Sequence, residues 1–149
     1  VTDISFYHLE RQSLDQVLPK LLERVIDAGL RAVVLAGSEE RVERLNGLLW
    51  TYDEGSFLPH GARSDGNLAD QPIYLTTEEE NPNAATVLAV IDGVQPAHIE
   101  AFDRCLELFN GKDEAEVAAA RERWQKYKAA GHAVTYWQQS GQGKWEKKG

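Results

Sequence analysis

Two apolar runs, AVVLA at residues 32–36 and TVLAVI at 86–91, constrain the fold of this chain more than any other feature. Neither alternates with polar residues, as a strand with one wet face would, so each needs cover on both sides. That condition is met in a parallel sheet sandwiched between helices. The remaining segments supply the partners. ISFYHL at 4–9 is β-branched and aromatic and reads as a strand. Ser13 and Gln16 have the spacing of a capping box and open a helix whose Leu18, Leu21, Leu22 and Val25 face inward. Pro19 is placed in its first turn, and Gly29 ends it. Ser38 caps a second helix running to about Trp50. PIYLT at 72–76 is a short strand, placed at the outside of the sheet because Pro72 cannot donate to a ladder. Pro96 opens a helix through Phe109, with Ile99, Phe102, Leu106 and Phe109 at helical spacing around a buried Cys105. A helix follows Asp113, and residues 132–138 give a last strand. This order predicts a three-layer α/β/α fold with a mostly parallel sheet of about five strands.

The chain has 149 residues, 42% of them hydrophobic, which suits one domain with a full core. The expected organisation is a single α/β domain over 1–139 and a polar tail, SGQGKWEKKG, over 140–149 that frays or folds as a small hairpin around Trp145. The longest irregular stretch is 50–69, with three glycines and several large aromatics, and loops of that length tend to carry function. No run approaches the roughly 18 apolar residues of a membrane span, and the start of the chain lacks a signal-peptide plan, so a cytoplasmic protein is expected. Cys105 is the only cysteine, which excludes an internal disulfide and a thiolate zinc cluster.

Enzyme motifs are missing. His8, His60, His98 and His132 are scattered, with no HExxH spacing, and there is neither a nucleophile elbow nor a phosphate-binding Gly-Lys-Ser/Thr. The corner at Gly37–Ser38, between strand and helix, is where a doubly wound fold would hold a phosphate. Here it has one glycine where the dinucleotide fingerprint has three, and Glu39 and Glu40 fill the first helical turn. Asp92 ends a central strand, the position of many catalytic carboxylates, but its neighbour Gly93 favours the reading that it merely caps a turn. No metal, cofactor or catalytic residue is expected. The competing class is a small nucleotide-binding enzyme using this edge of the sheet.

Charge points elsewhere. The net charge is −8, but residues 1–118 hold 9 Lys and Arg against 22 Asp and Glu, a net of −13, whereas 119–149 hold 7 against 2, a net of +5. On the helix after Asp113, Val117, Arg121, Trp124 and Lys128 fall in one stripe roughly 60° wide. A cation beside an indole can flank a core with its stem packed and its head in water. It can also be a binding surface, and an acidic peptide matches so small a basic patch better than duplex DNA does. Direct single-strand DNA binding by the basic tail and Trp145 is a third reading, opposed by the acidic body.

Three pieces together, FYHL at 6–9, LWTYDEGSFLPH at 49–60 and ARERWQKYKAAGH at 120–132, resemble the chi subunit of bacterial DNA polymerase III, in order and spacing along nearly the whole chain. The resemblance implies an α/β fold with a nucleotide-binding-like sheet and no known catalysis. It also implies a place in the clamp-loader assembly, pairing with the psi subunit, and binding of the acidic C-terminal tail of single-stranded DNA-binding protein, which ends in proline and phenylalanine. Carried over by motif, Arg121 would pair the tail's carboxylate and Trp124 would wall the slot for its ring. Trp50 and Phe57 would be the opposing aromatics, and Lys128 and Lys126 the basic rim. Relatives more often have tyrosine at the place of Trp124, and a basic residue can stand where this chain has Val117.

Overall fold

The computed structural model describes residues 2–10, 12–51, 60–62, 68–139 and 145–148, with the backbone alone for Trp50. In chain order the elements are β1 (Asp3–Leu9), α1 (Leu14–Asp27), β2 (Ala32–Leu35), α2 (Glu39–Thr51), β3 (His60–Ala62), β4 (Ile73–Thr76), β5 (Val87–Val90), β6 (Arg104–Asn110), α3 (Glu114–Ala129), β7 (Ala133–Gln139) and β8 (Trp145–Lys147). The strands form one sheet in the order β3-β4-β2-β5-β6-β1-β7-β8. Every pairing is parallel except that of β7 with β8. All the parallel strands therefore end at one edge, and the helices that return the chain lie on both faces.

The side chains divide by face. Val34, Leu75, Ala89 and Leu108 point to α1 and α2, where Leu18, Leu22 and Leu45 meet them. Phe6, Leu35, Val90 and Phe109 point to the other face, which α3 covers with Ala120 and Tyr127. The two runs that opened the sequence reading are β2 and β5, neighbours at the centre of the sheet and buried along their whole length.

Several expectations are corrected. The sheet has eight strands, not five: β3 lies inside the long irregular stretch, β8 forms in the tail, and β6 replaces most of the helix expected over 96–109. That segment contains only a short 3-10 turn, Ile99–Ala101, before β6. In β6 Cys105 and Phe109 join the core on the α3 side, while Leu106 and Leu108 join the other, so burial on both faces produced an apolar pattern that helical spacing also fits. β4 is not an outer strand: it is bonded to β2 and β3, because Pro72 falls just ahead of it and its missing N–H is not needed in the ladder. Pro19 sits a turn deeper than expected, since α1 already begins at Leu14. The Ser13 backbone N–H does donate to the Gln16 side chain, at 2.9 Å, as the capping box requires.

Candidate functional site

At the carboxyl edge of the sheet a crevice of about 660 Å³ opens between the ends of β1 and β6 and the starts of α1 and α2. In an α/β sheet this is the default place for a phosphate. Here the corner holds a carboxylate of the chain itself. Asp92, in the left-handed region at φ 59°, accepts from the Gly37 backbone N–H at 3.0 Å, and the Arg41 guanidinium grips both its oxygens at 2.7 to 3.2 Å. A Cβ on Gly37 would come within 2.9 Å of the Asp92 Cβ, so only glycine allows this approach. Burial pushes the Asp92 carboxyl up, but the bonds from Arg41 and Gly37 outweigh it and hold the group below the usual carboxylate range. Asp92 thus does more than turn the chain: it occupies the anion position and ties β5 to α2.

The second candidate lies on α3. Asp113 caps this helix by accepting from the N–H groups of Ala115 and Glu116, at 2.9 and 3.2 Å. Its buried face is Ala120, Arg123 and Tyr127, spaced i, i+3, i+7. Arg123 is buried because its Nε donates to Glu107 Oε2 of β6 at 2.8 Å. That seating fixes the rotation of the helix. Val117 and Trp124 come to its half-buried border, while Arg121 and Lys128 stand exposed. The Lys128 ammonium lies 4.6 Å from the centroid of the Trp124 ring, a cation–π arrangement that presents the indole and the charge together.

β7 contributes the floor beside this stripe. Tyr136 packs into the same cluster as Val117 and Trp124, and its hydroxyl lies 2.6 Å from His8 Nδ1 on β1. Burial raises the Tyr136 phenol, the nearby Arg121 charge works against that, and Glu10 adds to it. Arg121, Trp124 and Tyr136 therefore form one surface: a cation, an indole and a phenol, able to pair a carboxylate beside an apolar ring.

The structure brings together Val117, Arg121, Trp124 and Lys128 of the residues nominated from sequence. Lys126 is exposed, but at helical spacing it stands about 160° around α3 from Trp124 and points away from the stripe. Trp50 lies in the last turn of α2, a helix packed on β3 and β4 on the opposite face; its side chain, and all of Phe57, fall outside the described residues. Tyr136, His8, Arg123 and Glu107 escaped the sequence reading as site residues. Arg123 could have been found, since it shares a helical face with Ala120 and Tyr127. The alternation along β7 sets Tyr136 on one face with Val134, but only the pairing of β7 with β1 brings it to His8 and the stripe. Among the described residues no group of three or more His, Cys, Asp or Glu side chains could hold a metal, and no helix is long and apolar enough to cross a membrane.

A doubly wound α/β fold whose phosphate corner is closed by its own aspartate, with a cation–aromatic stripe on its last helix, is a nucleotide-binding-like scaffold carrying a surface of another kind. The chain belongs to the DNA polymerase III chi subunit family: residues 1–135 match the family model described as "DNA polymerase III chi subunit, HolC". It is 34% identical over 105 residues to a probable DNA polymerase III subunit chi of Rickettsia prowazekii, a match covering 70% of this chain and 64% of that protein. It is 26% identical over 119 residues to the DNA polymerase III subunit chi of Pseudomonas aeruginosa, covering 80% of this chain and 82% of the relative.

Proposed function

We propose that this protein is a cytoplasmic, non-catalytic accessory subunit of the DNA polymerase III holoenzyme. It links the clamp loader to single-stranded DNA-binding protein by binding that protein's acidic C-terminal tail on α3, and it pairs with psi through a separate surface. The observation that supports this reading most is the exposed Arg121 beside the half-buried Trp124, whose ring also carries Lys128. Arg121 offers the planar fork that suits a terminal carboxylate, and Trp124 with Val117 offers the apolar wall for the terminal ring. Lys126 adds positive potential from the far side of the helix rather than a contact. The carboxylate of Asp92 at the phosphate corner counts against the nucleotide-enzyme reading.

Trp50 and Phe57 complete the slot as the resemblance has it, Trp50 from the last turn of α2 and Phe57 from the segment that follows it. Because α2 is anchored on the other face, Trp50→Ala and Phe57→Ala are tested separately: weaker tail binding keeps that residue in the site, and unchanged binding removes it. The reading as a whole is tested by calorimetric titration with a synthetic tail peptide bearing a free C-terminus and with the same peptide amidated. Binding of the free acid, weakened about tenfold or more by amidation, is expected. Equal affinities would remove the carboxylate from the recognition. Micromolar binding of a common nucleotide in place of the peptide would favour the enzyme class instead.

A further inference from the structure

Beside the Arg121 stripe, His8 has both ring nitrogens engaged: Nδ1 with the Tyr136 hydroxyl at 2.6 Å and Nε2 with Glu10 Oε1 at 2.8 Å. Its ring is wedged edge-on between Phe109, at 5.2 Å, and Tyr136, at 5.9 Å. The turn at Gly111 closes over it so tightly that a Cβ there would meet the imidazole at 2.1 Å. The ring cannot turn away, so its protonation decides which way the hydroxyl points.

An ionised Glu10 only accepts, so it requires a proton on Nε2. In neutral His8 that leaves Nδ1 bare, and the Tyr136 O–H must donate to it. The hydroxyl then shows lone pairs to the Arg121 surface. In the imidazolium both nitrogens donate, Tyr136 accepts from Nδ1, and its own proton is free for an incoming anion.

The geometry points to Tyr136 as a hydrogen-bond donor to the carboxylate held at Arg121, with His8 as the positioning residue that releases this donor when it takes up a proton. The inference rests on the tail-binding reading above and adds its regulation: binding is coupled to uptake of one proton. Other charged groups lie around the imidazole. Glu10 is hydrogen-bonded to it, and Arg121 on α3 lies close enough to Tyr136 to act on its phenol. Lys112 and Glu116 line the crevice next to Glu10 with opposite signs, and the buried Glu107 and Arg123 neutralise each other deeper on the same face. Burial and the Glu10 charge raise the Tyr136 phenol, so the hydroxyl keeps its proton and remains a donor.

With the peptide's N-terminus acetylated, its carboxylates stay ionised and nothing else on it titrates between pH 6 and 8, so any pH dependence in that range belongs to the protein. Linkage gives its sign: a ligand that prefers the protonated form binds more tightly as pH falls. Titration of the parent with the free-acid tail peptide should show affinity rising ~3- to 10-fold from pH 8 to pH 6. Calorimetry in two buffers of different ionisation enthalpy should show proton uptake on binding at neutral pH. Both signals should vanish in Tyr136→Phe, which keeps the ring packing, and in His8→Gln; a thermal melt shows whether each variant is folded. A parent that binds equally at pH 6 and 8 without proton uptake overturns the inference while leaving the tail site standing. A pH dependence that survives in Tyr136→Phe overturns it as well. Failure of the parent to bind the peptide at either pH is a failure of the tail-binding reading itself.

Discussion

Arg123 Nε lies 2.8 Å from Glu107 Oε2 across the interface of α3 and β6, with 5% and 1% of the two side chains exposed. The pair sets the rotation of α3, and so decides that Arg121 and Trp124 face outward together. Its cost is visible in the Glu107 carboxyl: burial pushes it up, and the pairing with Arg123 does not fully reverse that. Arg123→Ala, which strands the buried carboxylate, should lose about 3 to 5 kcal/mol. Glu107→Gln should cost less, because it keeps an acceptor for Nε and removes the charge that burial already disfavours. The double variant Glu107→Leu/Arg123→Leu should be close to the parent. Urea melts of the three variants check this, and a double variant as unstable as Arg123→Ala would show that the pair is a net stabiliser.

The same pair explains where the sequence was hard to read. β2 and β5 were legible because nothing but apolar residues fills them. β6 was not, because Glu107 interrupts a strand buried on both faces, and the residues left over fit a helical spacing starting at Pro96. Only the partner on α3, sixteen residues on, makes a buried glutamate admissible there. For the site, the stripe Val117–Arg121–Trp124–Lys128 follows from one helix's periodicity and could be written down in advance. Tyr136 and His8 reach it through strand pairing, which places β7 beside β1 across more than a hundred residues of chain, and no local pattern carries that.

Asp92 should show its role in the acid limb of stability. Its folded carboxyl titrates below its ordinary range, so its contribution is present above the unfolded value near 3.9 and is lost as pH falls through the folded one. Asn tolerates the same left-handed backbone, which makes Asp92→Asn a clean probe. At pH 7 the variant should lose no more than about 1 kcal/mol, since the Arg41 and Asp92 side chains remain 27% and 21% exposed and solvent screens them. As pH falls through the folded value the gap should close, until variant and parent melt together. A stability gap unchanged from pH 7 to pH 2.5 would mean that the carboxylate's charge plays no part in the tie.

Cys105 gives a chemical test of the strand. Its thiol is buried in β6, and burial together with the Glu107 charge pushes it well above the ordinary thiol range. Thiolate is the reactive form, so iodoacetamide at pH 8 should leave the native protein unmodified for hours and label one thiol in denaturant, read by intact mass. Labelling of the native protein at the denatured rate would place Cys105 on the surface and displace β6.

Arg121→Ala should weaken binding of the tail peptide of single-stranded DNA-binding protein by about tenfold or more, because a charge-assisted hydrogen bond contributes roughly 1.5 to 3 kcal/mol. Arg121 is exposed and is not among the buried residues of α3, so the melting temperature should stay within a degree or two of the parent. Trp124→Ala should cost at least as much affinity, with some stability, because the indole packs against the core cluster and the Lys128 ammonium. Lys128→Ala should cost less: an exposed cation chiefly tunes association rate, and its effect should shrink as salt is raised and the Debye length shortens. The order Trp124 at or above Arg121, and Arg121 above Lys128, is what a carboxylate clamped beside an aromatic slot requires. Peptide titrations at two salt concentrations, with circular-dichroism melts as the folding control, measure all three. If Arg121→Ala binds as tightly as the parent and melts with it, the carboxylate is held elsewhere and the α3 stripe is a solvated flank of the core.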